Sequence, residues 1–340
     1  MTIINDIRGS VQDIRDLAPI RGTGEILQDG STDWQDQKLK SIAVSKVFKT
    51  SSKTMLGRSV RIFECASTLE FDIDLKTNEK RLQRVWFCKD RMCPMCQKRR
   101  SLVVFHQVKN VCSLITRDYP TYKYILLTLT VPNVKAEDLS SKISEMAKAW
   151  KRLTLRVEFT KATKGWFRTL EVTYNAKRDD YHPHYHVLVC VPPSFFKRNY
   201  IKQDRWVGLW QEAMKDYSIT QVDVRTIKPN PKKIGSDALS SAAAEVGKYA
   251  TKPSDYLEKT DLDSRYIATP KIVQDLATHL TRRKLVAFGG LMLVYSKMLD
   301  QQDVDSDSID LIHTDGDNEQ VEAIATEIYR WNIGANNYIC

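Results

Sequence analysis

Apolar and polar positions are most regular between residues 124 and 191. Tyr124–Val131 reads as a strand ended by Pro132, with Ile125, Leu127, Leu129 and Val131 on one face and Leu126, Thr128 and Thr130 on the other. Residues 136–155 predict a helix, because Leu139, Ile143, Met146, Ala147 and Trp150 share one side at helical spacing. Trp166–Tyr174 predicts a second strand, which puts Thr169, Glu171 and Thr173 on a common face. A polar loop at 175–181 leads to His182-Pro183-His184-Tyr185-His186, which runs straight into the apolar Val187–Val191 as a third strand. Folding about that loop brings Glu171 roughly opposite His186. Lys202–Tyr217 predicts a helix with Trp206, Leu209, Trp210 and Met214 inward, and Gln221–Ile227 a fourth strand. The order strand, helix, strand, strand, helix, strand predicts an α+β fold, a ferredoxin/RRM-like antiparallel sheet flanked by helices. That architecture alone does not decide function.

The flanks read less sharply. Residues 1–32 are polar and without period, a loose segment, and Trp34–Lys53 predicts an amphipathic helix. Thr68–Ile73 and Arg81–Phe87 predict a hairpin turning at Lys76–Lys80. Residues 236–252 predict a helix capped by Ser236 or Asp237 and stopped by Pro253, with Glu245, Tyr249 and Lys252 on one face. Helices are expected at 272–285 and 291–299, a solvated acidic loop at 300–319, and renewed apolar packing at 322–338. Four units result: a polar segment and helix at 1–57, a basic cysteine module at 58–112, the central sheet domain at 113–260, and a helical C-terminal region with an acidic loop at 261–340.

Candidate chemistry concentrates on two clusters. His184 and His186 lie two apart on a strand, so both imidazoles point the same way and form a site for a divalent cation. Glu171 on the neighbouring strand is the third candidate ligand, and His182 competes with it. Cys88, Cys93 and Cys96, joined by Cys65 through the hairpin, offer four thiolates to a tetrahedral zinc. The alternative is a set of small core cysteines, of which Cys112, Cys190 and Cys340 are better examples.

Charge adds a partner. The chain carries a net +10, and eight acids without a Lys or Arg fall between Asp300 and Glu319, so the remainder stands near +18. Residues 81–110 hold eight basic side chains against Asp90 alone, with Trp86 and Phe87 among them. Basic charge with interleaved aromatics fits DNA, with Arg91, Lys98, Arg99 and Arg100 as candidate contacts. No run of ~20 apolar residues predicts a membrane span, Met1–Asp6 lacks the regions of a signal peptide, and seven largely clustered cysteines suit a reducing cytoplasm.

Three motifs, in this order, resemble the replication initiators of small rolling-circle plasmids of Gram-positive bacteria, in the HUH endonuclease superfamily. Leu126–Val131 resembles the first family strand, His184-Tyr185-His186 the histidine–hydrophobe–histidine motif, and Glu245-Val246-Gly247-Lys248-Tyr249-Ala250-Thr251-Lys252 the tyrosine motif of the single-tyrosine branch. The cysteine cluster is similar to one found in that branch, and the resemblance covers residues 60 to 290. It implies origin-specific nicking by Tyr249, with Mg²⁺ or Mn²⁺ on His184, His186 and Glu171. It further implies Lys252 or Lys248 assisting the phenol or a phosphate, and Glu245 activating water at termination. The implied partners are plasmid origin DNA and a host helicase, with no membrane. A transposase, a relaxase, or a zinc-ribbon DNA-binding regulator without nicking activity are the alternatives.

Overall fold

The computed structural model of the protein describes residues 27–29, 32–74, 80–227, 238–247, 250–260, 265–314 and 323–340. The expectations for residues 1–26, for the turn at 75–79, for a cap at Ser236 or Asp237, and for Lys248 and Tyr249 lie outside these residues.

A short hairpin, β1 (Gln28–Asp29) and β2 (Thr32–Asp33), leads into α1 (Trp34–Ser51), whose first turn is capped by Asp33 accepting from Asp36 N–H at 2.9 Å. After α2 (Leu56–Glu64), β3 (Thr68–Asp74) and β4 (Lys80–Val85) pair antiparallel, as their alternation predicts. Pro94 opens α3 (Pro94–Asp118), where its missing N–H breaks no helical bond.

The central unit follows the predicted order: β5 (Lys123–Thr130), α4 (Ala136–Thr154) with the short α5 (Val157–Ala162), β6 (Gly165–Asn175), β7 (Asp180–Val191), α6 (Gln203–Met214) and β8 (Val222–Thr226). Next come α7 (Ala238–Val246), β9 (Ala250–Thr251), and the hairpin β10 (Leu257–Lys259) with β11 (Tyr266–Ala268). The chain continues through α8 (Pro270–Leu280), β12 (Val286–Gly290), α9 (Leu291–Met298), β13 (Ala323–Asn332) and β14 (Asn337–Ile339). The main sheet runs β12-β6-β7-β5-β8 with every neighbouring pair antiparallel. Tyr185, on its apolar face, meets Trp150 of α4 and Trp210 of α6 edge-on. α3 and α7 cover the apolar end of the other face, where Tyr124 donates to Cys112 O at 3.1 Å. The polar end of that face carries the histidines.

Four expectations are corrected. The helix expected to reach Pro253 ends at Val246, and Ala250–Thr251 runs instead as a strand parallel to β6, so Glu245 and Lys252 do not share a helical face. The stop falls at Gly247, where a side chain would meet Ala243 O at 2.7 Å. The register of β6 and β7 pairs Glu171 with His184 and Thr169 with His186, two residues from the expected alignment, because both strands extend to Asn175 and Asp180 and shorten the turn. The C-terminal region is not simply helical: β12 extends the main sheet beside β6, and β13 pairs with β3 of the cysteine module. The acidic stretch is not a solvated loop over its described part, because Val304, Ile309 and Leu311 are buried. Among the described residues no helix is long and apolar enough to cross a membrane.

Candidate functional site

β6 and β7 bring Glu171, His184 and His186 together. Their ligating atoms all lie within 4.8 Å of one another. His186 Nε2 stands 2.8 Å from Glu171 Oε2, and His184 Nε2 stands 3.3 Å from the same oxygen and 3.1 Å from His186 Nε2. His184 donates through Nδ1 to His182 O at 3.1 Å, and His186 Nδ1 faces Thr128 Oγ1 at 3.5 Å. These outer contacts leave both Nε2 atoms turned toward the carboxylate, the orientation a metal ligand needs. Burial pushes the Glu171 carboxyl up, but the hydrogen bonds from the two histidines win and hold it well below the usual carboxylate range. Glu171 is 2% exposed, and its Oε1 has no aligned hydrogen-bond donor. A buried carboxylate and two converging imidazoles fit a divalent cation. His182 is engaged elsewhere, with Nδ1 at 2.9 Å from Asn133 Oδ1.

Lys252 reaches the cluster from just after β9, its Nζ 3.1 Å from Glu171 Oε1 and its side chain half exposed. Ala250, the residue after Tyr249 in sequence, pairs directly with Glu171. Glu245 ends α7 on the histidine face, its Oε1 3.8 Å from Arg225 Nη2 of β8. Tyr256 is 1% exposed; its hydroxyl lies 3.5 Å from Gln97 Oε1, and burial pushes its phenol up to about 12. A sealed phenol of that kind cannot reach a phosphate.

The cysteine cluster forms as expected. Cys65, Cys88, Cys93 and Cys96 are buried with their sulfurs within 4.8 Å of one another. Cys96 Sγ lies 3.5 Å from Cys65 Sγ and 3.7 Å from Cys88 Sγ. Four thiolates around a tetrahedral metal at ~2.3 Å would sit ~3.8 Å apart, so the cluster fits a metal. Cys88 N–H donates to Cys65 Sγ at 3.4 Å, and Ser41 Oγ of α1 is 3.5 Å from Cys93 Sγ. Lys38 is buried beside the cluster and donates to Cys65 O at 2.8 Å; burial pushes its ammonium down to about 8 against the opposing pull of the cysteines.

The basic residues chosen as DNA contacts are not brought to one surface. Arg99 and Arg100 are 2% and 1% exposed. Arg99 donates to Leu311 O at 2.8 Å and Ile312 O at 2.6 Å, and Arg100 to Val304 O at 3.2 Å and Lys89 O at 2.9 Å. Arg91 donates to Leu280 O and Arg283 O at the end of α8, at 3.0 and 2.6 Å. These guanidiniums satisfy buried carbonyls and anchor the C-terminal stretch; only the partly buried Lys98 keeps a role at the surface open. Sequence reasoning also missed Gln97, Thr251 and Asn133. Nothing in a lone amide or hydroxyl marks it before its partner is known.

Residues 79–339 match the family described as "Replication protein". A "Protein rep" of Streptococcus pneumoniae serotype 2 is 32% identical over 310 residues, which cover 90% of this chain and 91% of that one. A "Protein rep" of Bacillus amyloliquefaciens is 33% identical over 323 residues, with 90% and 93% covered. A "Replication protein" of Staphylococcus aureus is 37% identical over 236 residues, 68% of this chain and 96% of its own length. No solved structure matches. The chain belongs to the replication-protein family, and its resemblance to rolling-circle replication initiators stands.

Proposed function

We propose that the protein starts rolling-circle replication by nicking one strand of its plasmid origin with Tyr249. The observation that carries this reading is the convergence of Glu171, His184 and His186 beside the strand that begins one residue after Tyr249. The strand order β8-β5-β7-β6 is that of a ferredoxin-like core and supports an HUH nicking unit within residues 113–260. A Mg²⁺ or Mn²⁺ bound by the trio supplies charge neutralisation at the scissile phosphate. The Tyr249 phenolate attacks phosphorus, the bond to the 3′ oxygen breaks, and a 5′-phosphotyrosine and a free 3′-OH primer result. An unperturbed phenol has a pKa near ~10, so it needs a cation to ionise at neutral pH. Lys252, beside Glu171 and half exposed, is suited to that task or to a phosphate oxygen. Glu245 takes a proton from water at termination, so that hydroxide displaces the tyrosine and frees the protein.

The cysteine cluster holds a structural zinc in this reading. Origin duplex lies along an open groove of about 660 Å³ beside it, where Arg61 and Arg282 are exposed and Lys89 partly so, with Asp90, Asp305 and Asp307 also in its lining. A host helicase then unwinds from the nick in the cytoplasm. Incubation with supercoiled origin plasmid and Mn²⁺ tests the proposal. Wild-type protein forms open circles with a covalent adduct. His184→Ala and His186→Ala slow nicking by about three orders of magnitude and leave duplex binding intact. Normal nicking by either variant at saturating Mg²⁺ and Mn²⁺ removes the metal site from the mechanism.

A further inference from the structure

We infer that a cleft between β5 and the start of β7 seats one nucleotide of the cut strand, bordering the scissile phosphate, and that His182 reads its base edge. The inference rests on the proposed nicking function for the identity of the strand. Its geometry begins with a break in a ladder. β5 and β7 pair down to Thr130–His184, and pairing resumes only at Val134–Tyr181, where Val134 N–H donates to Tyr181 O at 2.9 Å and Tyr181 N–H to Val134 O at 2.8 Å. N–H groups alternate sides along a strand, so the nitrogen of Pro183 faces this same side and has no proton to give. Residues 131–133 therefore bow away from β7 while both ends of the bow stay pinned.

The bow sets Asn133 beside His182. Asn133 Nδ2 donates to Asp180 Oδ1 at 2.6 Å. A carboxylate only accepts, so the amide must turn its oxygen to His182, and Oδ1 accepts from His182 Nδ1–H at 2.9 Å. With Nδ1–H spent on Asn133, the ring in its neutral form presents a lone pair on Nε2. Among the described residues, Nε2 has no hydrogen-bond partner. Arg178 closes the network through a 3.0 Å ion pair with Asp180. The opposite wall is polar, with Thr130 and Gln221 locked together by a 2.8 Å hydrogen bond from Thr130 Oγ1 to Gln221 O.

Size and place agree with one nucleotide. The cleft measures about 380 Å³, at the small end of ligand-sized clefts (~300–1,000 Å³). His182 lies one ring from the metal-binding trio, 5.2 Å between its centroid and that of His184. A nucleotide seated here has its phosphate next to the trio. A lone pair on Nε2 disfavours a phosphate oxygen and accepts an amino or ring N–H group of a base. His182 thus acts as a binding residue for the strand and not as a ligand of the metal.

Anisotropy of labelled single-stranded oligonucleotides tiling the plasmid origin, without added Mg²⁺ or Mn²⁺, tests the pocket without turnover. A parallel titration with Mn²⁺ tests ligation. His182→Ala and Asn133→Ala should each weaken oligonucleotide binding by roughly 5- to 10-fold and leave Mn²⁺ affinity unchanged. An abasic site at one position of the bound oligonucleotide should weaken wild type equally and add nothing in His182→Ala. Unchanged oligonucleotide binding by variants with native circular dichroism overturns the inference. So does a loss of Mn²⁺ binding in His182→Ala with DNA binding intact, which would make His182 a ligand. Nicking of supercoiled plasmid is scored separately: wild type that binds the strand and shows this mutational pattern but never nicks ends the proposed function, while the pocket stands.

Discussion

Gln97 Oε1 accepts the hydrogen bond of Thr251 Oγ1 at 3.2 Å, across 154 positions of sequence. Gln97 follows Cys96 of the cysteine cluster, and Thr251 lies in the two-residue strand beside Glu171. Gln97 is itself held by its Nε2 donating to Arg91 O at 2.7 Å. One amide thus couples the two candidate metal sites. Gln97→Ala leaves the buried Thr251 and Tyr256 hydroxyls without their acceptor, at a cost of about 1–3 kcal/mol. Urea denaturation reads that loss. Nicking should slow further than the stability loss explains, because β9 sets the approach to Glu171; a rate unchanged at full folding removes this coupling.

Protein purified without chelators should carry one zinc per chain. Cys93→Ser should lose it and unfold at markedly lower temperature, by several kcal/mol, since the cluster closes around a buried thiolate set. Elemental analysis and thermal melts check both. A metal-free native protein, or a Cys93→Ser variant with an unchanged melt, leaves four core cysteines in place of a metal site.

The two tyrosines near the motif should separate cleanly. Tyr249→Phe removes the proposed nucleophile, so DNA binding survives while nicking and adduct vanish. Tyr256→Phe should nick, with a stability loss of about 1 kcal/mol, because its hydroxyl lies in the core beside Gln97 and Thr251. Glu245→Ala should still cut once and then accumulate adduct, and Glu245→Tyr should restore strand transfer while the protein stays bound. Mass spectrometry of trapped adducts locates the nucleotide. An adduct on Tyr256, or loss of the first cut in folded Glu245→Ala, reverses these roles.

Arg99→Ala and Arg100→Ala should behave as stability variants. Each strands buried carbonyl groups at 304–312 or at Lys89, which costs roughly 2–4 kcal/mol. Duplex affinity per folded molecule should stay close to wild type. A native-like melt with a selective loss of DNA binding returns these residues to the DNA surface.

The central sheet was legible because its information is local. Alternation across Tyr124–Val131 and His184–Val191 fixed both strand and face, and Glu171 kept that face because the register moved by two residues, an even number. The cysteines were legible because their spacing is itself the ligand geometry. What escaped depended on distant partners. The eight basic residues of 81–110 look alike in sequence, and only packing against 304–312 distinguishes a sealed Arg99 from an exposed Arg84. The alanine-rich run before Gly247 reads as helix at every position, and nothing local in it names β6 as the neighbour of Ala250–Thr251. β13 carries strand-forming residues, but nothing in it names β3 as its neighbour.

That last pairing joins the two ends of the described chain. Trp331 N–H donates to Ser67 O at 2.8 Å, and Tyr338 donates to Ala66 O at 2.6 Å across 272 positions. Ala66 is the residue after Cys65, so the support of the cysteine cluster is drawn from segments that leave the ribosome far apart in time. Closing so long a loop is slow, and the early segments must wait for it. A growing chain therefore carries its cysteines for most of its synthesis without the strand that backs them. A chain terminated early lacks the backing strand, so, under the proposed nicking function, the supply of competent initiator tracks finished translation.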